Sequence, residues 1–394
     1  MAGSVIIAGA RTPIGKLSGA LAGFSAAELG GFAIKAALER AGLTPEQIDY
    51  VFMGQVLQGG TGQITARQAA VRAGIPMTVP ATTVNKVCLS GLNSIYLADQ
   101  MIQSGDAEIV VAGGMESMTQ APYLLPGARA GYRYGDGTLV DSVAYDGLFC
   151  AFDKMAMGGA TEKYAASANL ERAPQDELAA ASHDRAAAAI KDGKFAEEIV
   201  PVEIPQRKGD PVLFDTDEGV RPGTTVESLA GLRPAFDKAG NITAGNASQL
   251  SDGGSAVIVT TKAKAEQLGV TPLGEIVGYG QVAGPDPSLL TQPSRAIKAA
   301  LEKVGKAVSD VDLFELNEAF AAVGLAAMAD LGVKDDVVNV NGGAIALGHP
   351  VGMSGNRVAL TLMLELRRRG GGLGAAALCG GGGQGDAILL SVAG

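Results

Sequence analysis

A-I-K-A-A-L-E-R-A-G at residues 33–42 returns at 296–305 as A-I-K-A-A-L-E-K-V-G, a constant offset of 263 positions. Helix statistics in a low-complexity chain do not produce so close a match. Working outward in the same register, I-D-Y-V-F-M-G-Q at 48–55 lies opposite V-D-L-F-E-L-N-E at 311–318, so strand pairs with strand and Asn317 falls opposite Gly54. Farther on, S-G-L-N-S-I at 90–95 resembles S-G-N-R-V-A at 354–359. The glycine-ended run A-E-I-V-V-A-G-G at 107–114 resembles A-A-A-L-C-G-G at 375–381. Each half reads strand, helix, strand, turn, helix, strand. Short apolar runs suit strands buried on both faces, whereas Leu92, Ile95, Tyr96 and Ile102 recur at helical spacing. The alternation predicts an α/β protein with mostly parallel sheets and helical layers.

At 394 residues the chain is too long for one ordinary core. The predicted division is an N-terminal half over 1–120, completed by about 247–269, an inserted loop domain over 121–246, and a C-terminal half over 270–394. The middle segment is richer in Tyr, Gly, Asp and charge, with helical stretches near 155–168 and 175–192. With 47% hydrophobic residues, 5% aromatics, no Trp and 56 Gly, the interior is built from small aliphatic side chains around closely packed backbone.

A net charge of −10 disfavours a phosphate-backbone reader, which needs a broad basic face. The densest basic spot, R-R-R at 367–369, reads as the last turn of a helix ahead of Gly370. Three widely spaced cysteines without a C-x-x-C argue against a disulfide framework or a zinc site. The N-terminus lacks a basic stretch followed by a long apolar run, and no segment approaches 18 uninterrupted apolar residues. A soluble, cytosolic protein without nucleic-acid or membrane partners is expected.

Three glycine-flanked turns use nearly the whole stock of three cysteines and two histidines: Cys88 in V-N-K-V-C-L-S-G-L, His349 in G-G-A-I-A-L-G-H-P-V-G and Cys379 in L-C-G-G-G-G-Q-G-D. If Cys88 opens a helix, free backbone N–H groups and the positive dipole end stabilise its thiolate and bring the thiol from ~8.5 into the ~3.5 to 7.5 range. An isolated cysteine is otherwise a small buried hydrophobe. His349, fixed by a turn, can accept a thiol proton or donate to an oxyanion. Its alternative is a hydrogen-bonded structural histidine. The glycines after Cys379 let backbone N–H groups converge on one carbonyl oxygen. Although 380–385 matches G-x-G-x-x-G, no helix follows, so a dinucleotide site is rejected. Cys150 reads as packing, and His183 as an exposed helix residue without a role. In parallel sheets ligands bind beyond the strands' carboxyl ends, and two related halves bring those ends together.

Together V-N-K-V-C-L-S-G, N-E-A-F at 317–320, G-G-A-I-A-L-G-H-P-V-G-M-S-G at 342–355 and C-G-G-G-G-Q-G-D resemble those of the thiolase family. R-T-P-I-G-K at 11–16 and A-G-N-A-S-Q-L-S-D-G at 244–253 agree, so the resemblance spans essentially the whole chain. It implies a duplicated, layered αβαβα fold with two similar halves and an inserted loop domain. It further implies an acyl-CoA C-acyltransferase that condenses two acetyl-CoA or thiolyses acetoacetyl-CoA or a 3-ketoacyl-CoA with free CoA. Coenzyme A thioesters would be substrates, with no further cofactor and no metal, and the assembly would be a homodimer or homotetramer.

Carried over residue by residue, Cys88 would be the acylated nucleophile, His349 its activator, and Cys379 the acid and base at the substrate α-carbon. Asn317 would position a water in one oxyanion hole, and the N–H groups of Cys88 and Gly381 would form the other. Arg221, Ser248, Leu148, Met157, Phe236, Ala244 and Phe320 would line the coenzyme A and acyl tunnel. This chain has Ala156-Met157-Gly158 where acetoacetyl-CoA-type members commonly carry His-Met-Gly, which opens the alternative of a longer-chain 3-ketoacyl-CoA thiolase. A decarboxylating ketoacyl synthase would call for a second active-site histidine, and a non-catalytic acyl-CoA-binding scaffold would usually have lost one of the three reactive residues.

Overall fold

The computed structural model describes residues 3–394, so Met1 and Ala2, where the leader reading begins, lie outside the described residues. The first half runs β1 (Ser4–Arg11), α1 (Ala26–Ala41), β2 (Tyr50–Gly54), α2 (Thr65–Arg72), β3 (Ala81–Val84), α3 (Ser90–Ser104) and β4 (Ile109–Ser117). The chain then leaves the sheet, forming α4 (Met157–Ser167) and α5 (Arg172–Lys191), and returns as β5 (Ser251–Thr261). The second half runs β6 (Gly274–Ala283), α6 (Gln292–Lys303), β7 (Leu313–Leu316), α7 (Ala321–Leu331), α8 (Ala344–Leu347), α9 (Ser354–Arg368), β8 (Gly372–Gly380) and β9 (Gln384–Val392). Helix α1 begins at a Ser25–Glu28 capping box and ends on Gly42 at φ +66°, and Gly305, the matching glycine after the second copy, also has φ +66°, so the repeated segment carries its own stop signal.

The strands form one sheet in the order β3-β2-β4-β5-β1-β6-β9-β8-β7, with a two-residue strand, Gly15–Lys16, paired to β5. The order is mirrored about the centre, where β1 meets β6 through Val5 opposite Glu275 and Ile6 opposite Gly274. The bridge from Phe314 to Val338 occupies the place that β3 holds in the first half. Ladders β2–β3, β2–β4 and β7–β8 are parallel, as crossover helices require. The expectation of mostly parallel pairing holds for these outer strands only. The inner ladders run antiparallel, because β5 and β9 enter from a long excursion and a short hairpin rather than from a crossover helix.

Alternate strand residues feed different helical layers. Val5, Ile7, Val51, Met53, Ile109 and Val111 pack under α1 and α2 with Ile34 and Leu38. Ile6, Val110, Ala112, Ala376, Leu378 and Ile388 face a central layer made of α3 and α9, with Leu92, Ile95, Leu362 and Leu366. Phe314, Leu316, Ala375, Ala377 and Leu389 pack under α6 and α7. Both sheet faces are therefore dry, which is why the strand sequences are continuous apolar runs rather than alternating ones. Among the described residues no helix is long and apolar enough to cross a membrane.

The two central helices touch at their N-termini through glycine. A methyl group on Gly91 would lie 2.8 Å from the Asn356 backbone N, and one on Gly355 would overlap the Leu92 backbone N. We expect Gly91→Ala and Gly355→Ala to destabilise the protein by about 1–3 kcal/mol, since a Cβ there forces backbone apart. Urea midpoints at fixed protein concentration check this. Gly324→Ala in α7 is the comparison: its methyl meets only the flexible Leu178 side chain, at 3.2 Å, and the midpoint should hold or rise.

Candidate active site

The strand ends and glycine contacts of the central layer bring three turns together. Cys88 precedes α3 by two residues, in a turn where Leu89 N donates to Lys86 O at 3.2 Å and Ser90 N to Val87 O at 3.1 Å. His349 follows Gly348, whose φ of +113° excludes a side chain, and its N–H donates to Gln249 O and Ser251 Oγ, each at 3.2 Å. Cys379 lies near the end of β8, fully buried, before the turn into β9. Cys88, His349, Cys379 and Gly381 line one cavity of about 50 Å³.

Hydrogen bonds fix the imidazole's orientation. Ser354 Oγ donates to Pro350 O at 3.0 Å and stands 2.6 Å from His349 Nδ1, so the hydroxyl accepts from Nδ1–H. This pattern assigns the Nδ1–H tautomer and makes Nε2 the acceptor. Asn317 Nδ2 approaches Nε2 at 3.4 Å, while Asn317 Oδ1 is buried without a protein hydrogen-bond partner among the described residues. Glu318 holds the approach to this turn: Oε2 accepts from Ser182 Oγ at 2.7 Å and from Ile345 N at 3.1 Å, and Oε1 accepts from Asn339 Nδ2 at 2.8 Å. Glu116 binds the His349 turn to the end of β2, accepting from Gly352 N and Val56 N at 3.0 Å and from Leu57 N at 3.1 Å.

Electrostatics corrects one expectation. Burial pushes the Cys88 thiol up to about 11, outweighing the N–H groups of Cys88 and Gly381 that reach its sulfur and favour the thiolate. Cys88 stands before the helix rather than on its first turn, and the apolar surroundings decide the balance. Burial likewise raises Cys379 well above the ordinary thiol range, with Cys88 adding to it. Burial, and secondarily Arg357, lowers His349 to about 3. At neutral pH both thiols are protonated and the imidazole is neutral, so the site is uncharged at rest.

A larger cavity of about 460 Å³ opens onto this centre, lined by Leu148, Met157, Phe236, Ala244, Ser248 and Phe320 together with His349. Leu148, Met157, Ser248, Phe320 and His349 line both cavities, so the two adjoin. Ala156 lines the larger one, on the side of Gly158 and Phe236. Arg221 is not among its walls and is exposed. Its backbone N–H donates to His183 Nδ1 at 3.2 Å, and its guanidinium stands 3.3 Å from Nε2.

His183 is thus a correction, since it is fully buried rather than exposed. The alanines on either side concealed it, because the buried face of α5 carries Gln175, Asp176, Ser182 and His183 among its alanines and is not a purely apolar stripe. Cys150 packs with Met157, Ala160 and Cys379, as expected. The sequence reading missed Ser354, Glu116 and Leu289, which lines the same small cavity as Cys88. Ser354 alone left a signal, a hydroxyl five residues after the histidine at the start of a repeated helix.

A thiol at about 11 has little thiolate at neutrality, and the thiolate is the species that alkylates. Iodoacetamide modification of Cys88 in the free protein should therefore climb steadily from pH 7 to pH 10. A rate that plateaus below pH 8 would mean a preformed thiolate and contradict this electrostatic picture.

Comparison with known proteins agrees with the geometry. Residues 4–263 match the family described as Thiolase, N-terminal domain, and residues 270–392 match Thiolase, C-terminal domain. A protein of Mycolicibacterium smegmatis named probable acetyl-CoA acetyltransferase is 60% identical over 98% of this chain and 100% of its own length. The acetyl-CoA acetyltransferase of Cupriavidus necator is 54% identical, covering 98% of each chain. The crystal structure of the Bacillus anthracis acetyl-CoA acetyltransferase superposes with a TM-score of 0.96 at 41% identity, covering 100% of this chain and 99% of that one. With both halves matched and the turns of each meeting at one cavity, this chain belongs to the thiolase family.

Proposed function

We propose that this enzyme is an acetyl-CoA C-acetyltransferase that joins two acetyl-CoA to acetoacetyl-CoA, and the reverse, through an acetyl group carried on Cys88. The carrying observation is the convergence of two thiols, one imidazole and the Gly381 backbone on a cavity of about 50 Å³, room for a group of acetyl size. In the first half reaction the Cys88 sulfur attacks the thioester carbonyl as its proton passes to His349 Nε2. The N–H groups of Cys88 and Gly381 receive the oxyanion. Coenzyme A leaves and takes the proton from Nε2, giving acetyl-Cys88.

In the second half reaction Cys379 gives its proton to His349 Nε2, and the resulting thiolate takes an α-proton from the next acetyl-CoA. The carbanion attacks the acetyl carbonyl, the carbon–carbon bond forms, the Cys88–carbonyl bond breaks and the departing Cys88 sulfur takes the proton back from Nε2. A thiol raised by burial is a strong base once ionised, which suits a weakly acidic α-carbon. Nε2 and a water held at Asn317 Oδ1 would face the enolate oxygen, a role the unpartnered amide oxygen fits. Coenzyme A thioesters are the substrates, and the apolar 460 Å³ cavity is the proposed pantetheine passage.

A longer 3-ketoacyl-CoA is the second reading. It is favoured by a cleft of about 670 Å³ that shares Val87, Gly147, Met157 and Gly381 with the catalytic cavity. The ketoacyl-synthase reading lacks its second imidazole, because His183 is engaged by Arg221. Assembly as a dimer or tetramer fits the exposed apolar residues Leu125, Tyr132, Tyr134 and Leu139.

Incubation with acetyl-CoA and peptide mapping should place an acetyl group on Cys88, and its absence there would overturn the mechanism. Initial rates on 3-ketoacyl-CoA substrates from four carbons upward should fall with chain length. Rates that rise with length would favour the second reading. Cys379→Ala should still acetylate yet lose α-hydrogen exchange on acetyl-CoA, followed with deuterated solvent. His349→Ala should lose about 10²- to 10⁴-fold in thiolysis.

A further inference from the structure

Lys86 stands two residues before the nucleophile, and its partner is 300 residues away. Its ammonium donates to both oxygens of Asp386, at 2.7 and 2.9 Å. Asp386 is fully buried and lies opposite Leu378 in the β8–β9 ladder, beside the pair formed by Cys379 and Gly385. Tyr279 of β6 donates its hydroxyl to the same carboxylate at 2.7 Å, and its ring stacks on Tyr96 of α3 at 4.4 Å. One carboxylate therefore ties the Cys88 turn of the first half to the hairpin that carries Cys379 and Gly381 in the second.

Two features of that turn need such a tie. Val87 has φ +51°, a left-handed conformation that a β-branched residue adopts only where its surroundings impose it. Local bonds hold part of it: Val87 N donates to Asn85 Oδ1 at 3.1 Å, and Ser90 Oγ donates to Val87 O at 2.6 Å. The second feature is that the N–H groups reaching the Cys88 sulfur, those of Cys88 and Gly381, come from different halves. Their spacing is only as well fixed as the placement of the halves at this point.

We propose that Lys86 is a positioning residue for acyl transfer: its pair with Asp386, braced by Tyr279, holds the Val87 turn and sets the spacing of the Cys88 and Gly381 N–H groups. The inference rests on the acyl-transfer reading of the same site. Lys86 acts through geometry rather than charge, since its ammonium is matched by Asp386 and does not figure among the groups that shift the Cys88 thiol.

The test uses the full-length enzyme with Lys86→Met, Asp386→Asn, their double variant and Lys86→Arg. Readouts are thiolysis of acetoacetyl-CoA, the rate of Cys88 acetylation by acetyl-CoA, and the pH dependence of Cys88 alkylation. Misplacement on the scale of an ångström costs about a hundredfold, so Lys86→Met should lower kcat and Cys88 acetylation by about that factor. The KM for CoA and the alkylation profile should not move. The double variant should lose no more than the worse single variant, because both break one device. Lys86→Arg keeps the ion pair and should recover part of the lost rate; should the Met variant not fold, this variant, with lowered kcat and unchanged KM, carries the test. Wild-type kcat in folded Lys86→Met, losses that multiply in the double variant, or an alkylation profile displaced to higher pH would each overturn the proposal. A wild-type enzyme inactive on acetoacetyl-CoA would instead refute the acyl-transfer reading itself.

Discussion

The contact on which the rest depends is the one between α3 and α9, where Gly91 and Gly355 let two helix N-termini meet backbone to backbone. Gly54 and Gly114 extend the same constraint into the sheet, since a methyl on Gly54 would lie 2.8 Å from Gly352 O. Helices with ordinary side chains at these positions would stand several ångströms farther apart. The Cys88 turn, which leads into α3, and the His349 turn, which leads into α9, would separate with them. Glu116 then fastens the junction from beneath by taking three backbone N–H groups from both sides.

Close packing also sets the electrostatic character of the centre. The small aliphatic interior buries Cys379 and His349 and leaves Cys88 half-buried among apolar neighbours, so each group favours its neutral form. An exposed thiolate–imidazolium pair would be stable without substrate. In the proposed mechanism charge arises only when a carbonyl arrives to accept the sulfur and the N–H groups of Cys88 and Gly381 receive the oxygen. Donors already in place for that oxygen need no reorganisation as the charge develops.

The segment between β4 and β5 reaches the same centre by a different route. Ser182 of α5 donates to Glu318, which in turn holds Asn339 and Ile345 ahead of His349. One residue on, His183 accepts from the backbone of Arg221. A single helix thus links the histidine turn to the loop carrying Arg221. Neither link leaves a trace in hydrophobic periodicity, because the buried face of α5 carries polar residues among its alanines.

The internal repeat and its apolar runs were enough to define the class and the doubling, because both are written in local spacing, whereas the reading of strand, helix, strand, turn, helix, strand passed over α2 and β3 in the first half and α7 in the second. The same was true of Cys88, His349 and Cys379, whose turns stand out against a chain almost empty of thiols and imidazoles. Strand direction in the middle of the sheet was not legible: it depends on how β5 and β9 return to their neighbours, and that is a matter of long-range connection. Protonation was not legible either. A helix tip argues for a thiolate, yet the measure that decides is how completely other segments exclude water from the sulfur. The pairing of Lys86 with Asp386 likewise exists only once residues 300 positions apart share a few ångströms. Local sequence determined which groups were present and on which turns, and tertiary packing decided their distances, dielectric surroundings and charge.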